Sequence, residues 1–256
     1  MKIVSAILAI LLIATGGITA LLLRRASSFG EVEAQRQLTR TRQVVESRLG
    51  EIFTSLEEQV KRFAATVGVD RDFSMKLLVE RDRSAAEVTD VAATFMGPMG
   101  LSILQIVDSQ ETILSSGHFP ASAGNSLEEK LGSMTKNPSF LYENIGSESK
   151  LTLQSRVSFA IEGLPLEAVG GLRVDNRFLL SLCPLKESIL LLKTGTSYAG
   201  SITVNSISEV KDRTIIVNDK AYMVDSIALP FSGEGAPPNL LVLVEKPSAV
   251  SIRSLL

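Results

Sequence analysis

The chain has 256 residues, a length that accommodates one or two domains. Its 26 Lys and Arg residues nearly balance its 28 Asp and Glu residues, which argues against a nucleic-acid-binding protein with a basic face. One Cys excludes an intrachain disulfide framework and a cysteine-rich zinc site, and one His excludes every site that needs two imidazoles. We therefore expect no catalytic residues, no metal, no cofactor and no nucleic-acid partner.

The amino-terminal segment is strongly apolar. Residues 3–23 form a run of 21 residues without a charge, close to the ~20 residues that span a bilayer core. The run is longer than the ~7–15 apolar residues of a cleaved signal peptide, and no good cleavage site follows it. We predict an uncleaved transmembrane anchor over residues 1–25. Arginines cluster after the run, so the positive-inside rule alone would place the remainder of the chain in the cytoplasm.

A long helix follows the anchor. Apolar residues recur at spacings of three and four and predict one helix over residues 31–67: Leu49, Ile52, Phe53, Leu56, Val60 and Phe63. Its first half is polar, which is typical of a stalk, so we assign residues 26–68 to a stalk helix that pairs with a second copy in a homodimer. A second helix is predicted over 73–95, ended by Gly97 and Pro98.

The rest of the chain has the pattern of an antiparallel sheet. Residues 101–107 and 112–116 predict a hairpin, 117–150 a loop with weak helix, and 151–161 with 164–174 a second hairpin. Asp175 can cap a helix over 176–183. Further strands are predicted at 188–192, 201–204, 214–217, 221–227 and 240–244, with a hairpin turn at Asn218-Asp219. The predicted fold class is α+β, a transmembrane helix and a stalk helix followed by one antiparallel sheet with a helical insert.

Two strings carry a family resemblance. LQIVDSQETILSSGHFP (104–120) and VGGLRVDNRFLLSL (169–182) resemble the hairpin and the strand-to-helix corner of Cache domains, the PAS-like extracytoplasmic sensor domains of bacterial histidine kinases and chemoreceptors. KAYMVDSIALP followed by NLLVLVEKP resembles their last hairpin. Gln110-Glu111 stands where the family usually has Gly. The chain has no Trp, so the amino-acid-binding signature of one subgroup is not intact and we infer no amino-acid ligand.

The resemblance implies a sensor domain over residues 69–248, outside the cytoplasm and followed at 249–256 by the start of an exit helix. Long domains translocate largely regardless of flanking charge, so we follow the resemblance over the arginine count. It implies the ligand-sensing part of an inner-membrane receptor, most readily a two-component sensor histidine kinase with a periplasmic sensor. The chain has no phosphoacceptor His motif or glycine-rich ATP site, so we expect no kinase activity of its own. The alternatives are a membrane-anchored envelope scaffold that binds another protein, and an anchored hydrolase using His118.

Five residues are candidates for ligand binding, each with a plainer interpretation. Arg156 and Ser158 lie on the polar side of strand 151–161, where a guanidinium could clamp a ligand carboxylate or form a simple ion pair. Arg173 follows a Gly-Gly pair that admits either a ligand or a packed helix. Tyr142 could line a pocket or pack in the core. His118 could sense acid or be an ordinary loop residue.

A small-molecule ligand, carrying a carboxylate if Arg156 binds it, is therefore expected between the sheet and the 117–150 insert. Binding sites of this kind are usually concave, with a few convergent polar groups.

Overall fold

A computed structural model describes residues 2–127, 137–145, 148–183, 188–208, 210–233 and 235–246, with the helical backbone alone for residues 2–29. The chain starts with one helix of 67 residues, α1 (Lys2–Gly68), which confirms the helix predicted over 31–67. The predicted membrane segment, residues 3–23, lies outside the part with described side chains and stays a prediction. Among the residues whose side chains are described, no helix is long and apolar enough to span a membrane.

One face of α1 is buried along the part of the helix whose side chains are described. Its fully or almost fully buried apolar side chains recur at intervals of three, four and seven residues: Leu38, Val45, Leu49, Leu56, Val60, Phe63 and Val67. This spacing returns to the same side of a 3.6-residue helix, so α1 presents one continuous apolar stripe to the rest of the protein.

The prediction of a single helix over residues 73–95 is wrong. The structure has four short helical pieces there: α2 (Arg71–Ser74), a π-helical turn (Met75–Glu80), α3 (Ala86–Thr89) and α4 (Val91–Met96). The break has a local cause. Arg81 has the left-handed conformation with φ 56°, and Asp82 Oδ1 accepts hydrogen bonds from the backbone N–H and the hydroxyl of Ser84. Such a turn offers the backbone an alternative to helix.

Ten strands form two antiparallel sheets where the sequence predicts one. The first sheet, in the order β2-β1-β5-β4-β3, contains β1 (Ile103–Asp108), β2 (Ile113–Ser116), β3 (Ser139–Ile145), β4 (Glu148–Ile161) and β5 (Leu164–Arg173). A 3₁₀ turn (Pro120–Ser122) follows β2, and α5 (Asn176–Leu182) leads out of the first sheet. The second sheet, in the order β7-β6-β10-β9-β8, contains β6 (Ser188–Thr194), β7 (Ser197–Gly200), β8 (Thr214–Val217), β9 (Lys220–Ala228) and β10 (Asn239–Glu245).

Most predicted strands and turns are confirmed, and two regions differ. Strand β3 lies inside the segment predicted as a loop with weak helix. The described residues 201–204 do not form the predicted strand. A tight turn at Gly195, with φ 59°, reverses the chain directly after β6, so the strand that pairs with β6 is residues 197–200. The predicted exit helix at 249–256 lies outside the described residues, and the domain limits stay predictions.

The main core lies where α1 packs on both sheets. In the first sheet its buried members include Leu104, Leu153 and Ala168, and in the second Leu240 and Val242. Each sheet also buries its opposite face in a smaller cluster. We call the face of the first sheet that points away from α1 its outer face.

Candidate functional site

Strand register places a set of polar side chains on the outer face of the first sheet. Ser116, Gln105, Val169 and Arg156 lie opposite one another across β2, β1, β5 and β4. Residues two positions along a strand share a face, so Gln154 joins this set in the next row. We define the outer polar layer as Gln105, Ser116, Glu143, Thr152, Gln154, Arg156 and Glu167.

Gln154 is fully buried in this layer. Its Nε2 lies 3.2 Å from Glu143 Oε2 and 3.0 Å from Thr152 Oγ1. A carboxylate only accepts hydrogen bonds, so the amide nitrogen must face Glu143 and the oxygen points elsewhere. Within the described part of the chain, Gln154 Oε1 has no hydrogen-bond partner. A buried acceptor in this state costs about 1–3 kcal/mol.

Gly171 makes room for this side chain. A Cβ at Gly171 would lie 2.8 Å from Gln154 Cγ and 3.0 Å from the carbonyl oxygen of Leu153. Only a residue without a side chain fits under the glutamine, which explains one glycine of the Gly-Gly pair.

Gln105 is the second buried amide, with 3% of its surface exposed. Its Nε2 lies 3.5 Å from Ser116 Oγ, which also accepts from the backbone N–H of Phe119 at 3.3 Å. Its Oε1, like that of Gln154, is without a partner among the residues that the structure describes. His118 lies beside this group, with Nδ1 3.5 Å from Ser116 Oγ. Burial lowers the pKa of His118 and favours its neutral form.

Arg156 is engaged by carboxylates. Its Nε donates to Glu167 on the neighbouring strand, and its Nη2 lies 4.0 Å from Glu111 Oε1. Ser158 Oγ donates to the other oxygen of Glu167 at 3.4 Å. The backbone of Arg156 also forms two hydrogen bonds with the side-chain amide of Asn137. The Arg156 N–H donates to Asn137 Oδ1, and Asn137 Nδ2 donates to the Arg156 carbonyl oxygen, each at 2.9 Å. The ion-pair interpretation of Arg156 therefore describes the structure.

The other two sequence candidates lie apart from the layer's centre. Arg173 shares the outer face but is half exposed and binds Asp175, with Nη2 to Oδ2 at 2.9 Å. Asp175 in turn accepts from the backbone N–H groups that begin α5, as predicted. Tyr142 belongs to the opposite face, where its ring packs edge-on against Phe231 with centroids 5.9 Å apart. Its core interpretation is the one the structure supports.

Sequence reasoning missed the two glutamines that dominate the site. Gln105 sits alone in the apolar run LSILQIV, and a polar residue there is the one signal that could have singled it out. Gln154 looks like one more polar residue of an alternating strand. Its burial depends on contacts from β3 that the sequence pattern does not reveal.

Within the described ranges of the chain, no three His, Cys, Asp or Glu side chains form a group that could hold a metal ion.

No protein-family model matches the sequence, and no curated protein matches it either. The fold does have solved counterparts. The sensor domain of the Vibrio cholerae histidine kinase DctB aligns with a TM-score of 0.51 and 11% identity, over 84% of this chain and 100% of that one. The sensory domain of the Campylobacter jejuni chemoreceptor Tlp3 aligns with a TM-score of 0.55 and 9% identity, over 89% and 98%.

This chain has the fold of a bacterial sensor domain. The resemblance to PAS-like Cache domains is thereby confirmed for the fold. The Tlp3 sensory domain has also been solved with isoleucine bound, and that structure aligns with a TM-score of 0.52 and 6% identity, over 89% of this chain and 98% of that one.

Proposed function

We propose that this chain is the extracytoplasmic ligand-sensing portion of a bacterial signal-transduction receptor, of the two-component histidine kinase type. The observation that carries the proposal is the pair of buried amide oxygens, those of Gln105 and Gln154, in the outer polar layer of a sensor fold. Buried polar groups in proteins are nearly always hydrogen-bonded, and an exception calls for an explanation. A ligand that supplies the missing donors is such an explanation.

The sensor is attached to the inner membrane through residues 1–25 and lies in the periplasm. The uncharged run over residues 3–23 supports the anchor, and the resemblance to the extracytoplasmic Cache domains supports the periplasmic side. The bound ligand is a small molecule, and the chain itself transmits binding without catalysis. Two copies pair through their stalk helices, since a helix transmits a displacement only against a second body.

Helix α1 provides the route from the ligand to the membrane. It packs on the first sheet so tightly that a Cβ at Gly170 would lie 2.5 Å from Val60 Cγ2. Nearer its amino end, Arg42 Nη1 donates to Asp225 Oδ2 on the second sheet at 3.0 Å. A ligand that favours one packing of the first sheet therefore shifts α1, and the equilibrium between signalling states follows.

A thermal-shift screen of the full chain in detergent micelles against a panel of small metabolites tests this function. The decisive variant is Gln154→Leu, which removes the amide at nearly constant volume, and the matched control is Gln43→Leu on the exposed side of α1. We expect at least one compound to raise the melting temperature of the wild type and of the control but not of Gln154→Leu. If no compound acts on the wild type, the proposal fails and the anchored-scaffold alternative takes its place.

A further inference from the structure

We propose that residues 229–232, which we call the bridging segment, couple the two sheets and carry a change in strand β3 to strand β10. The inference rests on the proposed function and adds a second route to the one through α1. The bridging segment lies in the connection between β9 and β10 of the second sheet. It pairs with β3 of the first sheet before the chain returns to β10, so one short stretch of backbone contacts both sheets.

Backbone hydrogen bonds hold the bridging segment on β3. The Phe140 N–H donates to the Pro230 carbonyl oxygen at 2.7 Å, and the Ser232 N–H donates to the Phe140 carbonyl oxygen at 2.9 Å. Between these bonds, Phe231 forms a parallel bridge with Phe140. Strand β3 is an edge strand of the first sheet, so the bridging segment occupies backbone groups that β4 does not reach.

Side chains on both faces of β3 strengthen this contact. On the outer face, Ser139 Oγ lies 2.8 Å from Ser232 Oγ and donates to the Pro230 carbonyl oxygen at 3.2 Å. Both serines are buried. On the opposite face, the Phe231 ring packs edge-on against Tyr142. A shift of the bridging segment along β3 would leave buried hydroxyl groups without partners, which is unfavourable, so the two move together.

Strand β3 is in turn bound firmly within the first sheet. The ring of Phe140 is fully buried and packs edge-on against Phe53 of α1 and Phe178 of α5, with centroids 6.0 Å and 6.3 Å away. From β4, Thr152 Oγ1 donates to the carbonyl oxygen of Leu141 at 3.0 Å. Thr152 belongs to the outer polar layer, so a change in that layer acts on β3 directly.

Strand β10 continues from the bridging segment to the amino-terminal part of α1. It pairs with β6 on one side and with β9 on the other, so it lies in the middle of the second sheet. Directly after β10, Lys246 Nζ lies 3.5 Å from Glu31 Oε1. Glu31 belongs to the part of α1 that adjoins the predicted membrane segment. A displacement of β3 therefore has a route to this region through the bridging segment and β10, without passing along α1.

A double-mutant cycle read by amide hydrogen exchange of the full chain in detergent micelles tests the route. Thr152→Val removes the hydroxyl that binds β3, and Ser232→Pro removes the N–H that binds Phe140. The matched control is Ala236→Pro in the same connection, because Ala236 is exposed and its N–H donates to no described residue. We expect Thr152→Val to accelerate exchange of the β10 amides at least about 5-fold in the wild-type and Ala236→Pro backgrounds, and less than about 2-fold in Ser232→Pro.

Two outcomes overturn the inference. If Thr152→Val accelerates the β10 amides equally in the Ser232→Pro background, the change reaches β10 through α1 or through global unfolding. If Thr152→Val leaves the β10 amides unchanged in the wild-type background, the change stops within the first sheet. Neither outcome decides the proposed function, which the metabolite screen tests separately. Phe231→Ala, which removes the ring contact with Tyr142, takes the place of Ser232→Pro if that variant does not fold.

Discussion

The contact between Gly170 and α1 predicts a large effect from the smallest possible substitution. In Gly170→Ala the new Cβ would lie 2.5 Å from Val60 Cγ2 and 3.3 Å from Leu101 Cδ1. Carbon atoms in contact prefer separations of about 3.5–4.0 Å, so α1 and the sheet must separate by about 1 Å. Val60 is fully buried and β-branched, and its side chain has essentially one rotamer in a helix, so it cannot turn aside.

Overpacking of this kind costs about 1–3 kcal/mol of unfolding free energy. Urea unfolding followed by circular dichroism measures it. The matched control is Gly50→Ala in α1, the helix that carries Val60. Apart from the helix's own backbone, no described atom lies within 4 Å of the new methyl group there. Alanine is favoured over glycine inside a helix by about 0.5–1 kcal/mol, so the control should gain stability while Gly170→Ala loses it.

A double mutant separates a local clash from a general weakening. Val60→Ala removes the clashing methyl, so Gly170→Ala should cost at least about 1 kcal/mol less in that background than in the wild type. Purely additive effects, or a Gly170→Ala protein within about 0.5 kcal/mol of the wild type, would refute the close packing of α1 on this strand.

Three further predictions concern a helix cap and two titrating groups. Asp175→Ala removes the acceptor for two backbone N–H groups at the start of α5 and should lower the unfolding free energy, measured in urea, by about 1 kcal/mol. Asp175→Asn keeps an acceptor oxygen and should retain most of that stability. Equal losses in the two variants would contradict the cap. Burial raises the pKa of Asp108, but backbone N–H groups and Arg83 outweigh it and hold that pKa below its usual value. The resulting stability is present above about pH 4 and is lost as the pH falls through the lowered pKa, so the acid decline in unfolding free energy should be shallower in Asp108→Asn. Burial lowers the pKa of His118, so the unfolding free energy should decline as the pH falls below about 6.5. The melting temperatures at about pH 7.5 and about pH 5.5 should therefore differ less in His118→Gln than in the wild type. An unchanged difference would count against a buried neutral imidazole.

Local features of the fold were readable from the sequence. The apolar spacing along α1 predicts its helix, because a 3.6-residue period returns every third or fourth residue to one side. The Asn218-Asp219 turn is confirmed with φ values of 49° and 65°, a conformation that these short polar residues tolerate. Asp175 caps α5 because its carboxylate reaches N–H groups only two and three residues away. Each of these features depends on neighbours within a few positions.

Other features depend on residues far apart in the chain. Whether ten strands make one sheet or two is decided by which strands share hydrogen bonds, and the sequence of each strand is compatible with either arrangement. The partner that engages Arg156 is set by its register with β5, which places Glu167 within its reach. The sequence leaves Arg156 with two interpretations, a ligand clamp and an ion pair, and in the fold its Nε forms an ion pair with Glu167.

The adjacent glycines of β5 show the same division most directly. The sequence reads Gly170-Gly171 and predicts a close approach by another group, without saying which group or from which side. The tertiary structure assigns Gly170 to Val60 of α1 and Gly171 to Gln154 of the outer polar layer. Successive residues of a strand face opposite sides of the sheet, so what each glycine meets is decided by the elements packed on those two sides. The sequence by itself determined that room was needed here, and only the packing of distant segments decided what fills it.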